Sequence, residues 1–122
     1  MNTWNEPSLQ KATQKKYKGF SNKPTNDFLA KQIANGNAIL VEMSPDEYIK
    51  RICYQIFETD LSTLFKYSVY MPDIEKYAKD MKKGDEFPIG YIDYIRKKQE
   101  GRHRALAAYL NGYEKIPVYI IK

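Results

Sequence analysis

From residue 26 onward the chain alternates between two hydrophobic periods, and this alternation constrains its fold more than any other feature. Apolar residues three and four apart mark helices, whereas apolar runs and strict alternation mark strands. In "TNDFLAKQIANG" Phe28, Leu29 and Ile33 share one helical face, and Gly36 is a natural stop. "AILVEM", residues 38–43, reads as a buried strand. "MSPDEY" then supplies a complete helix start: Ser44 as N-cap, Pro45 at the first helical position and Glu47 three residues after the serine. Tyr48, Ile49, Ile52, Cys53, Ile56 and Phe57 come next as a single apolar face. "TDLSTLFKYSVYM" fits a short helix or a strand-like lid segment equally well. "PDIEKYAKDMKKG" is helical, with Ile74, Tyr77, Ala78 and Met81 on one face. "FPIGYIDYI" reads as a strand, "RALAAYLNG" as a helix stopped by Gly112, and "KIPVYIIK" as a last strand. The expected class is α+β, a small mixed sheet flanked by helices.

No covalent or metal staple holds this core. Cys53 is the single cysteine, so the chain has neither an internal disulfide nor a cysteine pair for structural zinc. A length of 122 residues suffices for one domain with a real core. We expect that domain over residues 26–122, preceded by a basic arm over residues 1–25 with a short helix around residues 8–17. Residues 1–37 carry six lysines against two acids, a large part of the net charge of +5. Lys11, Lys15, Lys16 and Lys18 would let the arm touch a polyanion such as nucleic acid, although a solvated terminus explains them too. No apolar stretch suggests a signal peptide or a membrane span, so the expected setting is the cytoplasm with no membrane partner.

The chemistry concentrates in "QEGRHRALAAYLNG", residues 99–112. Three potential cations, Arg102, His103 and Arg104, come directly after Gly101 at the start of a helix. A helix N-terminus already carries partial positive charge, so cations there are unfavourable unless an anion joins them. Gly101 allows close backbone approach, the first helical amides are free, and an arginine can present a bidentate fork to phosphate. His103 can donate a hydrogen bond or move a proton near neutral pH. Alternatively, His103 could bond a carbonyl, and the arginines could pair with Glu100, Asp93 or Glu114.

The stretch "QEGRHRALAAYLNGYEKIPVYII" resembles the ParB and sulfiredoxin superfamily. Glu100 to Arg104 match its box, Ala105, Ala107 and Ala108 its small-residue helix face, and Gly112 with Ile116-Pro117-Val118 its ending. The likeness covers residues 70–122 well and residues 38–57 loosely. It is similar to the small ParB-like nuclease proteins of phages and mobile elements. Two departures narrow what it implies. Sulfiredoxins carry their reactive cysteine directly before the box histidine, and that position here is Arg102. The Glu-Asn-x-x-Arg stretch and long DNA-binding region of partition ParB proteins are absent, so a gated DNA clamp is not expected.

The resemblance implies a domain that binds a nucleotide or nucleic acid through Gly101, Arg102, His103 and Arg104, with nuclease or nucleotide-hydrolase activity as a further implication. Glu100 and His103 would then be the catalytic pair. Glu100 and Asp93 would hold Mg²⁺, with a nucleotide as second cofactor. The alternative is a non-enzymatic interaction protein on the same fold, such as a phage-encoded inhibitor of a host protein in a nucleic-acid machine. A kinase-like transfer, also known on this fold, has no selecting feature in the sequence.

Overall fold

The computed structural model describes residues 10–11 and 17–122. Its elements run β1 (Gln10–Lys11), β2 (Phe20–Pro24), α1 (Asp27–Ala34), β3 (Ala38–Met43), α2 (Pro45–Arg51), a π-helical turn (Ile52–Ile56), α3 (Leu61–Tyr67), α4 (Met71–Lys82), β4 (Phe87–Asp93), β5 (Lys98–Glu100), α5 (Arg102–Leu110) and β6 (Ile116–Ile121). The chain is therefore mixed α and β, as the alternation implied. The ambiguous segment after Asp60 is a helix, capped by the Asp60 carboxylate on the Thr63 amide.

The sheet is mixed, in the order β1-β3-β6-β4-β2. β6 runs antiparallel to β3 and parallel to β4, while β2 runs parallel to β4. β5 pairs antiparallel with the second half of β4, through Tyr91 and Glu100, Ile92 and Gln99, Asp93 and Lys98. The two faces of the sheet are covered unequally. Ile92, Val118 and Ile120 join the main core with Tyr48, Ile52, Ile74, Met81 and the alanines of α5. On the other side Tyr91 and Ile121 pack with Leu29 of α1. Burying a leucine completely contributes about 2–3 kcal/mol, so α1 is an anchored layer rather than a flap.

The boundary expected at residue 25 moves. β2 lies within the supposed arm and completes the sheet beside β4, and Tyr17 and Phe20 are buried in the main core. The helix expected around residues 8–17 is replaced at Gln10–Lys11 by a strand paired with β3. A short apolar signal at Tyr17 and Phe20, diluted by lysines, concealed this pairing. Of the four arm lysines, Lys15 and Lys16 lie outside the described residues, and only the backbone of Lys11 is described. Lys18 stands over the ring of Tyr113, 5.9 Å from its centroid.

The helix after Ser44 starts as its sequence dictates, with the Glu47 amide bonded to the Ser44 hydroxyl at 3.0 Å. It does not continue with one phase. The amide of Phe57 bonds the Ile52 carbonyl, five residues back. The inserted residue rotates the end of the helix, so Ile52 and Cys53 are buried while Phe57 emerges into solvent. The single face expected to run through Phe57 therefore ends early. Arg51 is buried beside it, bonded to Glu47 and to the Tyr94 hydroxyl.

Candidate phosphate site at the start of helix α5

Alanine at positions 105, 107 and 108 removes side-chain bulk from the inner face of α5, and all three residues are buried. α5 therefore packs closely on α2 and α4. The Asn111 amide nitrogen donates to the Ala78 carbonyl at 3.0 Å, and the Tyr70 amide donates to His103 Nε2 at 3.0 Å. These two bonds, eight residues apart on each partner, make α4 and α5 run side by side in one direction. Their N-termini consequently lie together.

The helix starts differ in how they are capped. Asn26, Ser44 and Asp60 cap α1, α2 and α3 through their side chains. Neither α4 nor α5 has a side-chain cap from its own N-cap residue. At α5 the N-cap is Gly101, with φ of 123°, a conformation that disfavours side chains. The first-turn amides of Arg102, His103 and Arg104 thus stand at the edge of a cleft of about 280 Å³, lined by Tyr77, Phe87, Pro88 and residues 100–104. The positive end of α5 faces that cleft, while the start of α4 bonds the His103 ring through the Tyr70 amide.

A buried phenol holds the approach to the helix in place. The Tyr48 hydroxyl lies 2.9 Å from the Glu100 carbonyl and 3.0 Å from the Gln99 side-chain oxygen. Burial pushes its pKa well above the ordinary value, so it stays a neutral donor. The Glu100 carbonyl also passes over Gly90, where a Cβ would collide with it. Sequence reasoning left both residues out of the site. A glycine inside a strand signals close backbone approach, and Gly90 in "FPIGYIDYI" carried that signal.

The cations of the box divide their work. Arg102 donates through Nε to the Ser68 carbonyl at the end of α3, where negative helix-end charge favours it. Its guanidinium carbon is 5.9 Å from the centre of the Phe57 ring. Arg104 is more deeply engaged: Nη1 donates to the Pro88 carbonyl at 2.6 Å and Nη2 to the Thr25 hydroxyl at 3.2 Å. Burial lowers its pKa, but a guanidinium remains charged. Carbonyls and a hydroxyl, rather than Glu100, Asp93 or Glu114, meet these arginines.

His103 is neutral at pH 7. Burial and then Arg102 push its pKa below the usual imidazole value, with Arg104 adding to the effect and Asp73 and Glu100 opposing it. Its Nε2 accepts from a backbone amide, so the ring proton sits on Nδ1. Within this arrangement His103 offers one N–H donor. Its Nε2 lone pair is engaged by the Tyr70 amide.

No family model matches this chain, and no curated protein or solved structure is significantly similar to it.

Of the two carboxylates expected for Mg²⁺, Asp93 is buried in the β4–β5 turn and Glu100 is exposed. Asp93 is fully buried; its carboxylate accepts from the amides of Ile95 and Arg96 at 3.0 Å and pairs with the Arg96 guanidinium at 2.9 Å. These bonds close the turn between β4 and β5, which is the physical reason for an aspartate there. Among the described residues no group of three or more His, Cys, Asp or Glu side chains gathers to hold a metal. Asp93 is thus engaged in the turn, and Glu100 is an exposed carboxylate. Cys53 is buried with its thiol pKa raised by burial, and it bonds the Thr59 carbonyl as a core residue does. Among the described residues no helix is long and apolar enough to cross a membrane.

Proposed function

We propose that this chain is a phosphate-binding domain that takes a nucleotide or nucleic acid at the start of α5. The observation that carries the reading is the α5 N-terminus, with Gly101 as N-cap and no side-chain cap, facing a cleft edged by Arg102, His103 and Arg104. Free amides and a positive dipole end suit a phosphate, and a guanidinium adds a charge-assisted bond. In this reading Arg102 contributes its Nη groups, because only Nε is used on Ser68. His103 contributes its Nδ1–H, and Arg104 shapes the cleft wall. Glu100 is the one carboxylate at the rim, where a phosphate-bound Mg²⁺ would meet it. The likeness of the Gly-Arg-His-Arg box to ParB-like proteins supports the same ligand class. Binding is the function we propose; nuclease or nucleotide-hydrolase activity, with Glu100 and His103 as the catalytic pair, is a further implication of the likeness.

A second reading has its own observation. Phe65, Tyr67, Tyr70 and Met71 are exposed along the end of α3 and the start of α4, Tyr67 by 73% and Tyr70 by 59%. Exposed aromatic side chains grouped in one segment mark protein interfaces, which suits an interaction protein that inhibits a host partner. Calorimetric titration separates the two. Nucleoside triphosphates and short oligonucleotides, with and without Mg²⁺, should bind the wild type and lose affinity in Arg102→Ala. A wild type that binds no phosphate ligand leaves the interaction protein as the reading.

A further inference from the structure

The rim of the phosphate cleft is shared. A second groove, of about 390 Å³, is lined by Ile56, Phe57, Tyr91, residues 97–100 and Arg102. It meets the first cleft at Glu100 and Arg102. We propose that this groove is a base-stacking subsite for single-stranded nucleic acid, with Phe57 as its platform and Arg102 joining it to the phosphate position. The proposal rests on the phosphate-binding reading and deepens it by naming the polymer.

Three observations carry the argument. The first is the π-helical turn at Ile52–Ile56. Without its extra residue Phe57 would continue the buried face of α2; with it, the ring reaches the groove and is 38% exposed. Turns of this kind interrupt the regular ladder and recur at functional positions. The second is that the elements bordering the groove are bonded to each other. Lys97 Nζ bonds the Gln55 carbonyl at 2.9 Å and pairs with Glu58 at 2.9 Å, tying the β4–β5 turn to the end of the π turn. Glu58 and Lys97, the two partners of this ion pair, both have positive φ, 53° and 57°.

The third observation is charge. Lys98 and Arg102 line the groove and have no carboxylate partner among the described residues. Lys98 instead stands 4.9 Å from the centre of the Phe28 ring, and Arg102 stands over Phe57. Glu100 is the sole acid in the lining. Cations interleaved with ring faces fit a strand whose phosphates and bases alternate. A duplex keeps its base faces stacked inside, out of reach of a ring in a concave groove, whereas a single strand can present them. Two confluent clefts also exceed what one nucleotide needs, so successive nucleotides would fill both.

Fluorescence anisotropy with a labelled thymidine hexamer tests this. Its companions are an abasic hexamer of the same backbone, a hairpin duplex and a polyglutamate competitor. The wild type should prefer the thymidine hexamer to the abasic one by about tenfold, the scale of one base–ring stack. It should prefer the hexamer to the duplex as well. Phe57→Leu, which keeps an apolar side chain but no ring face, should reduce the thymidine-to-abasic ratio several-fold while the thermal midpoint stays near that of the wild type. Equal affinity for thymidine and abasic strands, with loss of both in Arg102→Ala, would overturn the stacking subsite and leave the phosphate site intact. Preference for duplex, or displacement by polyglutamate at matched charge, would also overturn it. Absence of any binding would remove the phosphate reading itself.

Discussion

The carbonyl oxygen of Glu100 occupies the space that a Cβ on Gly90 would need, and the Cα of Gly101 lies only 3.2 Å from that same point. β4 and the approach to α5 are thus in backbone contact. Gly90 sits in the middle of the sheet, where the Val118 backbone pairs with it from β6. Neither side can retreat cheaply. Gly90→Ala should destabilise the protein by roughly 3 kcal/mol, the upper end of overpacking costs. Urea denaturation reads this directly, and a midpoint equal to that of the wild type would show that the loop yields without resistance.

Tyr48 holds the same loop from the helix side. Its hydroxyl is the buried donor to the Glu100 carbonyl. Tyr48→Phe keeps the ring and removes that donor, leaving a carbonyl without its partner, at a cost of about 1–3 kcal/mol. Because residue 100 precedes the N-cap of α5, the loss should also loosen the α5 start and weaken phosphate binding. A variant with lower stability and undiminished phosphate affinity would separate the loop from the site.

His103 gives the domain a pH dependence whose sign is set by its surroundings. Burial, reinforced by Arg102 and Arg104, holds its folded pKa below the ordinary value of 6.5. The unfolded chain therefore takes up the proton first. Stability from this residue is fully present above about pH 6.5 and falls away as pH drops through the folded value. His103→Gln can still accept from the Tyr70 amide but cannot be protonated. Thermal midpoints measured from about pH 7.5 to 5.5 should fall more steeply in the wild type than in His103→Gln. Parallel curves would mean that the imidazole is not held neutral. Phosphate should flatten the wild-type curve, since an anion favours the protonated ring.

How much of this was legible in the sequence depends on the range of the interaction. Ser44, Pro45 and Glu47 announce a helix start within four residues, and α2 begins there. The small-residue face of α5 was legible for the same reason, because residues 105, 107 and 108 pack through one local period. The single phase read through Phe57 failed because a π turn inserts one residue without any Gly or Pro to mark it. The arm boundary failed because β2 is stabilised by pairing with β4, more than sixty residues away in the chain. Apart from the Thr25 hydroxyl on Arg104, the partners of Arg102, Arg104 and His103 are backbone atoms of Ser68, Pro88 and Tyr70. Every residue has such atoms, so no side-chain pattern could have pointed to those three. The two carboxylates expected for Mg²⁺ looked alike in sequence; burial of Asp93 in the turn after β4, against exposure of Glu100, was not legible there.

That division between side-chain pattern and backbone partner leads to different fates for the two arginines. Arg104 holds the Pro88 carbonyl and the Thr25 hydroxyl from a largely buried position, tying α5 to the strand pair β2 and β4. Removing it leaves a carbonyl short of a charged donor, so Arg104→Ala should cost roughly 1.5–3 kcal/mol of stability. Arg104→Lys should not restore it, because one ammonium cannot span both acceptors as a planar fork does. Arg102 uses one nitrogen on Ser68 and keeps its outer guanidinium at the junction of the two clefts. Arg102→Ala should therefore weaken phosphate binding by a similar roughly 1.5–3 kcal/mol, the scale of a charge-assisted hydrogen bond, while changing stability less than Arg104→Ala does. Denaturation and calorimetric titration on the same two variants check both halves. If Arg104→Ala is as stable as the wild type, its carbonyl bonds are not structural. If Arg102→Ala binds phosphate ligands as the wild type does, the arginines at the head of α5 serve Ser68, Pro88 and Thr25 alone.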